Sequence, residues 1–343
     1  MKTKGLLHIY WLAVVITILI WGSVYWKLGS SALLTVSLLT LLETTFSADN
    51  AVINSKILNT MSFVWQRIFM TVGVLIAVFL IRFILPIVIV MIGAKLGFHN
   101  VLDLALHHPK LYASQLLRDE PAINAFGGTF LLMVALNYFV DYKKSVHWIS
   151  PLERKLSSLG QFESISTFAM LAIILLLYAT VNNAYQTTVL TAAIVAMTVR
   201  AGLGLLSSVI EPRTEKAELH KKIGVAAFFA FTYLEILDAS FSLDGVIGAF
   251  AITSSIVLIV AGLGAGAIWV RAMTTHLVRT NTLARYVFLE HGAYWAIGFL
   301  GTIMLLKLYR VNLPEWFVGS LGIVWIIAAV YWSRRKGQKT VRT

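Results

Sequence analysis

No cysteine occurs anywhere in the 343 residues. Disulfides, thiolate metal sites and cysteine nucleophiles are therefore excluded, and the redox compartment leaves no mark on the sequence. Charge is scarce too: 13% of the residues are Asp, Glu, Lys or Arg, about half the share that soluble domains carry. The hydrolase patterns His-Glu-x-x-His and Gly-x-Ser-x-Gly are missing. Gly262-Leu-Gly264-Ala-Gly266 has glycines at the spacing of a nucleotide loop, but it lies in an apolar stretch with no strand before it. Close helix packing is the better account of it. With no nucleotide motif, ATP supplies no energy, and the chain is not expected to be an enzyme.

What is present is apolar. Hydrophobic residues make up 58% of the chain and the mean hydropathy is +0.80, a composition that lipid solvates and water does not. A spanning helix needs about 20 mostly apolar residues, and runs of that size follow one another along the chain. They lie near His8–Trp26, Ala32–Ile53, Ile68–Ile92, Ala125–Val140, Ile165–Val181, Thr187–Val209, Ile223–Leu243, Val246–Val270, Tyr286–Leu306 and Phe317–Trp332. The expected fold is an all-α, polytopic transmembrane helix bundle of about ten spans. Lys2 and Lys4 precede the first run as in a signal peptide, yet no small-x-small cleavage site comes before Trp21, Tyr25 and Trp26. It reads as a retained first span.

The net charge of +12 does not mark a nucleic-acid binder, because the Lys and Arg sit in short loops and form no continuous face. They carry topology instead. With the N-terminus in the cytoplasm, 20 of the 28 Lys and Arg fall in inside segments, six outside, and two, Arg82 and Arg200, within spans. That bias implies N-in and C-in, in what reads as a bacterial cytoplasmic membrane. The outside stretch from Gly97 to Asn124, with Asp103, His107, His108 and Asp119, is expected to form amphipathic surface helices. His99, His107 and His108 there are more often solvated than metal-bound.

One self-similarity stands out. Glu43-Thr-Thr-Phe46-Ser47-Ala-Asp49-Asn50 in the second span aligns without gaps to Asp238-Ala-Ser-Phe241-Ser242-Leu-Asp244-Gly245 in the seventh. The charge bias runs these spans in opposite directions, so the octads belong to two inverted-topology repeats, an architecture of transporters whose site lies at mid-membrane. The organisation expected is an N-terminal span (1–30), a first repeat (31–141), a linker with connecting spans (142–222), a second repeat (223–333) and a basic cytoplasmic tail (334–343).

Five of the sixteen carboxylates, Glu43, Asp49, Glu235, Asp238 and Asp244, sit in these two apolar stretches. An acid inside a membrane is costly and is a functional candidate by default. Glu43, Ser47 and Asn50 fall on one helical stripe, repeated by Asp238, Ser242 and Gly245. Asp49 and Asp244 stand about 120° off it. Either the helix unwinds near Ser-x-Asp, which Gly245 favours in the second copy, or a buried helix lines the site with two faces. Carboxylates, hydroxyls and an amide form an oxygen-only ligand set suited to hard divalent ions. Such a cluster cannot be fully ionised in low dielectric without a cation, so it is expected to hold metal, protons or both in exchange. Ser47, Ser242 and Glu235 are candidates for further ligands or proton relays, and Arg82 reads as a counter-charge for the acids, a gating residue or an arginine that snorkels to an interface. The plainer reading pairs the acids with Arg82 or Arg200 and makes them helix glue. Glu290-His291, opening the ninth span, reads as a boundary charge.

The paired patterns Glu-x-x-x-Ser-x-Asp-Asn and Asp-x-x-Phe-x-x-Asp resemble the signatures of the tellurium-resistance TerC family, in the larger group of LysE-type exporters. The likeness is to an uncharacterised branch of similar length, echoed in Phe126-Gly-Gly-Thr-Phe-Leu-Leu-Met and Leu289-Glu-His-Gly-Ala, and it covers most of the chain after the first span. It implies metal efflux, manganese (Mn²⁺) above all, or tellurite resistance. By position it places the acidic site on Glu43, Asp49, Asn50, Asp238 and Asp244. Gly245 departs from the pattern, which often has Ser, and so removes one side-chain oxygen. The expected function is a secondary transporter exporting a divalent cation, driven by protons or membrane potential, with that ion and the bilayer as its partners and no permanently bound cofactor. The alternatives are a membrane scaffold for metal or tellurite stress and, more remotely, an intramembrane metal hydrolase.

Overall fold

The computed structural model describes residues 4–162, 164–210, 221–311 and 313–340. Lys2, Arg213 and Lys216, to which the charge bias assigned the cytoplasmic side, lie outside the described residues, as does the end of the tail. Among the described residues the chain is all-helical, with one isolated bridge between Met61 and Lys222. Eight helical stretches are long and apolar enough to cross a membrane, as in an integral membrane protein: Ile9–Phe46, Phe63–Ala94, Glu120–Phe139, Gln186–Leu205, Gly224–Phe250, Ile256–Arg279, Leu289–Lys307 and Trp316–Lys336. Helix is the form such a sequence must take in lipid, because it satisfies every backbone group within the segment.

The chain divides into two compact units. The first comprises Met1–Glu120 and Val209–Thr280. It opens with α1 (Lys4–Phe46), 43 residues interrupted at Gly29, whose φ of 82° and ψ of −174° are not helical. Trp21 Nε1 donates to Thr40 Oγ1 at 3.5 Å, although residues 19 apart on a straight helix stand about 28 Å apart. α1 therefore doubles back at Gly29, a left-handed position that glycine accepts without strain, and its two arms correspond to the first two expected spans. After a turn at Ser47 the chain continues as α2 (Ala48–Asn59). Next come α3 (Phe63–Leu75), a π-helical stretch (Ile76–Ile84) and α4 (Leu85–Ala94) in one continuous run, then the short α5 (Phe98–His107) and α6 (Pro109–Arg118). α5 and α6 bury Val101, Ala105, Tyr112 and Leu116 while His99, Asp103, His107 and His108 stay exposed.

α11 (Gly224–Phe250) and α12 (Ile256–Arg279) complete this unit. α12 packs closely along the second arm of α1. A Cβ on Gly262 would stand 2.5 Å from Leu39 Cβ, and one on Gly266 the same distance from Glu43 Cβ. Thr40 Oγ1 donates to the Gly262 carbonyl at 3.2 Å. The glycine run is thus a packing stripe. At one end of the unit, Ser62 N donates to Lys222 O at 3.0 Å and Lys222 N to Thr60 O at 2.8 Å. The C-terminal end of α2 and the N-terminal end of α11 are therefore side by side.

Two expectations about the second octad are corrected. α11 is unbroken through Gly245, so no unwinding occurs there. In lipid the helix gains more from its own hydrogen bonds than glycine's freedom costs it, about 1 kcal/mol. The break between the seventh and eighth spans falls at Ala251–Ser255, not at residues 244–245, because Val246–Phe250 continues α11. α12 consequently reaches Arg279 and takes Arg271 into its interior.

The second unit comprises Pro121–Ser208 and Asn281–Thr343. It contains α7 (Glu120–Phe139, from its second residue), α8 (Ser150–Leu159), α9 (Ile165–Thr180), most of α10 (Gln186–Ile210), α13 (Thr282–Arg285), α14 (Leu289–Lys307) and α15 (Glu315–Thr340). α9, expected to span, is apolar but has 16 residues. Its core joins Met133, Met170, Ile174, Val189, Ala193 and Leu305. Gly128 and Gly292, the glycines of the two echoed patterns, are contact points: a Cβ on Gly128 would lie 2.9 Å from Gly301 O, and one on Gly292 2.8 Å from Trp325 O.

Candidate functional site

Both octads lie in the first unit, and Glu43 of the first reaches the backbone of Gly245 in the second. Glu43, Asp49, Asn50, Glu235, Asp238 and Asp244 are all buried, as are Ser47 and Ser242. Glu43 projects from α1 against α12 and α11: a Cβ on Gly245 would stand 3.4 Å from Glu43 Oε2. The first octad breaks at Ser47 (φ −96°, ψ 22°), so Asp49 enters the first turn of α2. A carboxylate there favours the positive end of the helix dipole. Asp49 Oδ1 accepts the Asn50 N–H at 3.0 Å.

Two arginines hold Glu43, Glu235 and Asp238. Arg82, in the π-helical stretch, donates from Nη2 to Glu43 Oε1 and from Nη1 to Ala77 O, five residues back, at 3.0 Å. Such stretches reorient a side chain that a regular helix would point elsewhere, often at functional sites. Arg271 forms a fork onto Glu235, Nη1 to Oε1 at 3.1 Å and Nη2 to Oε2 at 2.8 Å, and Nη2 also reaches Asp238 Oδ2 at 3.2 Å. Its guanidinium lies 4.3 Å from the centre of the Phe69 ring and donates to the Phe69 carbonyl at 3.3 Å. Gly73 makes the room: a Cβ there would stand 2.5 Å from Arg271 Nη1 and 2.9 Å from Glu235 Oε1.

The arginines are 1% and 2% exposed, so without their carboxylates each would be an uncompensated charge costing several kcal/mol. Neither is fully satisfied. The Nε of Arg82 and of Arg271 are buried without an acceptor, and Ser242 Oγ, Thr275 Oγ1 and Asn54 Oδ1 are buried without a partner among the described residues. Each such atom costs about 1–3 kcal/mol. Also among the described residues, no three His, Asp or Glu side chains converge closely enough to hold a metal ion; Glu43, Glu235 and Asp238 are turned toward guanidiniums instead. Arg200 belongs to α10 and so to the other unit.

The family model described as "Protein of unknown function (DUF475)" matches residues 48–340. The chain belongs to this family. No curated protein and no solved structure matches it. The DUF475 match takes in Asp49, Asn50 and the whole second octad, and begins just after Glu43 and Ser47.

Sequence reasoning missed two features of this DUF475 chain. Arg271 fell just past a span drawn to end at Val270. The apolar Ala-Ile-Trp-Val before it, matching the Phe-Leu-Ile before Arg82, was the available signal. The other is Glu153, fully buried on α8 in the second unit. It accepts from His291 Nδ1 at 2.8 Å, Trp295 Nε1 at 3.1 Å, Lys144 Nζ at 3.3 Å, and the backbone N–H groups of Trp148 at 3.0 Å and Ile149 at 3.4 Å. His291 is thus a buried partner and no boundary charge. Burial pushes the Glu153 carboxyl up, but the His291 bond and charge, Lys144 and Trp295 outweigh it and hold it at about 2.

Proposed function

We propose that the chain is a secondary transporter that exports a divalent cation, Mn²⁺ by preference, coupled to protons or to the membrane potential. The observation that carries this is a charge imbalance in the first unit. Leaving Asp244 aside, the described residues of this unit bury four carboxylates (Glu43, Asp49, Glu235, Asp238) and two guanidiniums (Arg82, Arg271). A dry interior cannot hold that surplus alone, so cations or protons must enter it. Glu43, Asp49, Asn50, Asp238 and Asp244 are the ligands proposed, with Ser47, Ser242 and Glu235 as relays or additional oxygens.

The arrangement of the helices supports an inverted pair of repeats. α2 ends beside the point where α11 begins, through the Thr60, Ser62 and Lys222 hydrogen bonds, as octads running in opposite directions would require. Such a pair lets one site face each side in turn at similar energy. In this reading N- and C-termini are cytoplasmic and the membrane is the bacterial cytoplasmic one. The likeness to the TerC family points the same way.

The second reading, a non-transporting scaffold for metal or tellurite stress, draws on the ion pairs Glu43–Arg82 and Glu235–Arg271, which also fasten helices. Elemental analysis of cells with and without expression separates the two. A transporter lowers cell-associated Mn²⁺ and a scaffold leaves it unchanged.

A further inference from the structure

Glu43 and Asp238 hold the same place in the two octads, and each is bound by an arginine from a later helix of the same unit. Arg82 comes 39 residues after Glu43, and Arg271 comes 33 residues after Asp238. The acid–arginine pairing is therefore itself duplicated.

The way these arginines are held differs from a permanent structural pair. The contrast lies in the same chain: the Glu153 carboxylate is met by five donors from Lys144, Trp148, Ile149, His291 and Trp295. Arg82 and Arg271 each leave Nε buried without an acceptor among the described residues. Two buried oxygens have no partner among the described residues, Ser242 Oγ one turn on from Asp238 and Thr275 Oγ1 one turn on from Arg271. A buried network with spare donors on its cation and spare oxygens beside its acids has a second arrangement available to it. Gly73 keeps the guanidinium's place open at 2.5 Å, where any Cβ would push it out.

We propose that Arg82 and Arg271 are tethered counter-ions, guanidiniums that occupy the carboxylates of the unloaded protein and give them up to the transported cation. This rests on the transport reading. When the cation enters, Arg271 leaves Glu235 and Asp238, and those carboxylates and Ser242 Oγ turn to the ion. When the cation departs, the guanidinium returns and offsets one of the two carboxylate charges while a proton takes the other, so the empty carrier can reset across the membrane without carrying bare charge. The arginine thus lowers affinity and makes net transport workable.

The test uses the purified full chain in proteoliposomes with Mn²⁺ as the probe. Binding, Mn²⁺/Mn²⁺ exchange and net Mn²⁺ efflux are measured for wild type, Arg271→Gln, Arg271→Lys and Gly73→Ala. Arg271→Gln is expected to bind Mn²⁺ about tenfold more tightly if the locked form predominates about ten to one, to keep exchange, and to lose net efflux. Arg271→Lys restores net efflux. Gly73→Ala displaces the guanidinium without removing its charge, so it shifts binding the same way, and it carries the test if Arg271→Gln fails to insert. Weaker or unchanged Mn²⁺ binding in both Arg271→Gln and Gly73→Ala, or exchange and net efflux lost together, overturns the inference while wild-type transport stands. A wild-type protein that neither binds nor moves Mn²⁺ overturns the transport reading itself.

Discussion

The carboxylate of Glu43 lies against the bare backbone of Gly245, close enough that a methyl group there would stand 3.4 Å from Oε2. These residues come from different octads, 202 positions apart in the chain. Their contact brings the first acid of one octad to the last residue of the other. Gly245 sits in unbroken helix, so a side chain can be added there without altering the backbone.

Gly245→Ser is accordingly expected to fold normally and to place a hydroxyl next to Glu43, supplying an oxygen this chain lacks. Mn²⁺ binding should tighten about fivefold, the worth of about 1 kcal/mol from one added contact. Titration calorimetry on the purified protein checks it, and weaker binding at unchanged stability would count against a shared site.

Gly266→Ala should be costly for a different reason. Its Cβ would meet Glu43 Cβ at 2.5 Å and the Thr40 carbonyl at 3.1 Å, and the helices must part to admit it. A loss of about 1–3 kcal/mol is expected, read as a lower melting temperature in detergent. Gly245→Ser serves as the control that leaves melting unchanged.

Much of this was legible in the sequence, and the failures have physical causes. The apolar runs located the helices, and the gapless octad repeat singled out the acids that the structure buries in one unit. Hydropathy alone could not end α11 correctly, because the turn Ala251–Ser255 is as apolar on its N-terminal side as the helix before it. That slip of several residues hid Arg271 in a supposed loop. Gly245 favours the unwound one of the two geometries open to the octad, as in the broken helices of transporters, but lipid penalises unwinding and α11 continues through it. Glu153 and His291 are 138 positions apart, and no local pattern announces a partnership at that range.

Glu153 gives a pH-dependent test in the second unit. Its carboxyl is held at about 2 against an ordinary 4.5, so its stabilisation is fully present above about pH 4.5 and is lost as pH falls toward 2. Glu153→Ala should lower the melting temperature at pH 7, since His291 and Trp295 lose their acceptor. The difference from wild type should narrow on acidification below pH 4. A difference that is flat with pH would mean the carboxylate charge is not what matters.

The sidedness of the basic loops can be tested with single cysteines, because the chain has none of its own. Cysteines at Asn59, beside the Thr60–Lys222 contact, and at Thr214, outside the described residues, should resist an impermeant thiol reagent in intact cells. Both should label once the membrane is opened. Labelling of either from outside would remove the topological basis for inverted repeats.

The account turns on whether the buried acids handle a cation, and Asp238→Asn asks this most directly. The substitution removes a charge with almost no change of volume and leaves Glu235 to hold Arg271. The measurement is cell-associated Mn²⁺ by elemental analysis in cells expressing wild type, Asp238→Asn or neither, at matched membrane levels. Wild type is expected to lower Mn²⁺, and Asp238→Asn to leave it at the level of cells with no protein. Mn²⁺ lowered equally by both, or by neither, would contradict the assignment of these carboxylates to cation export.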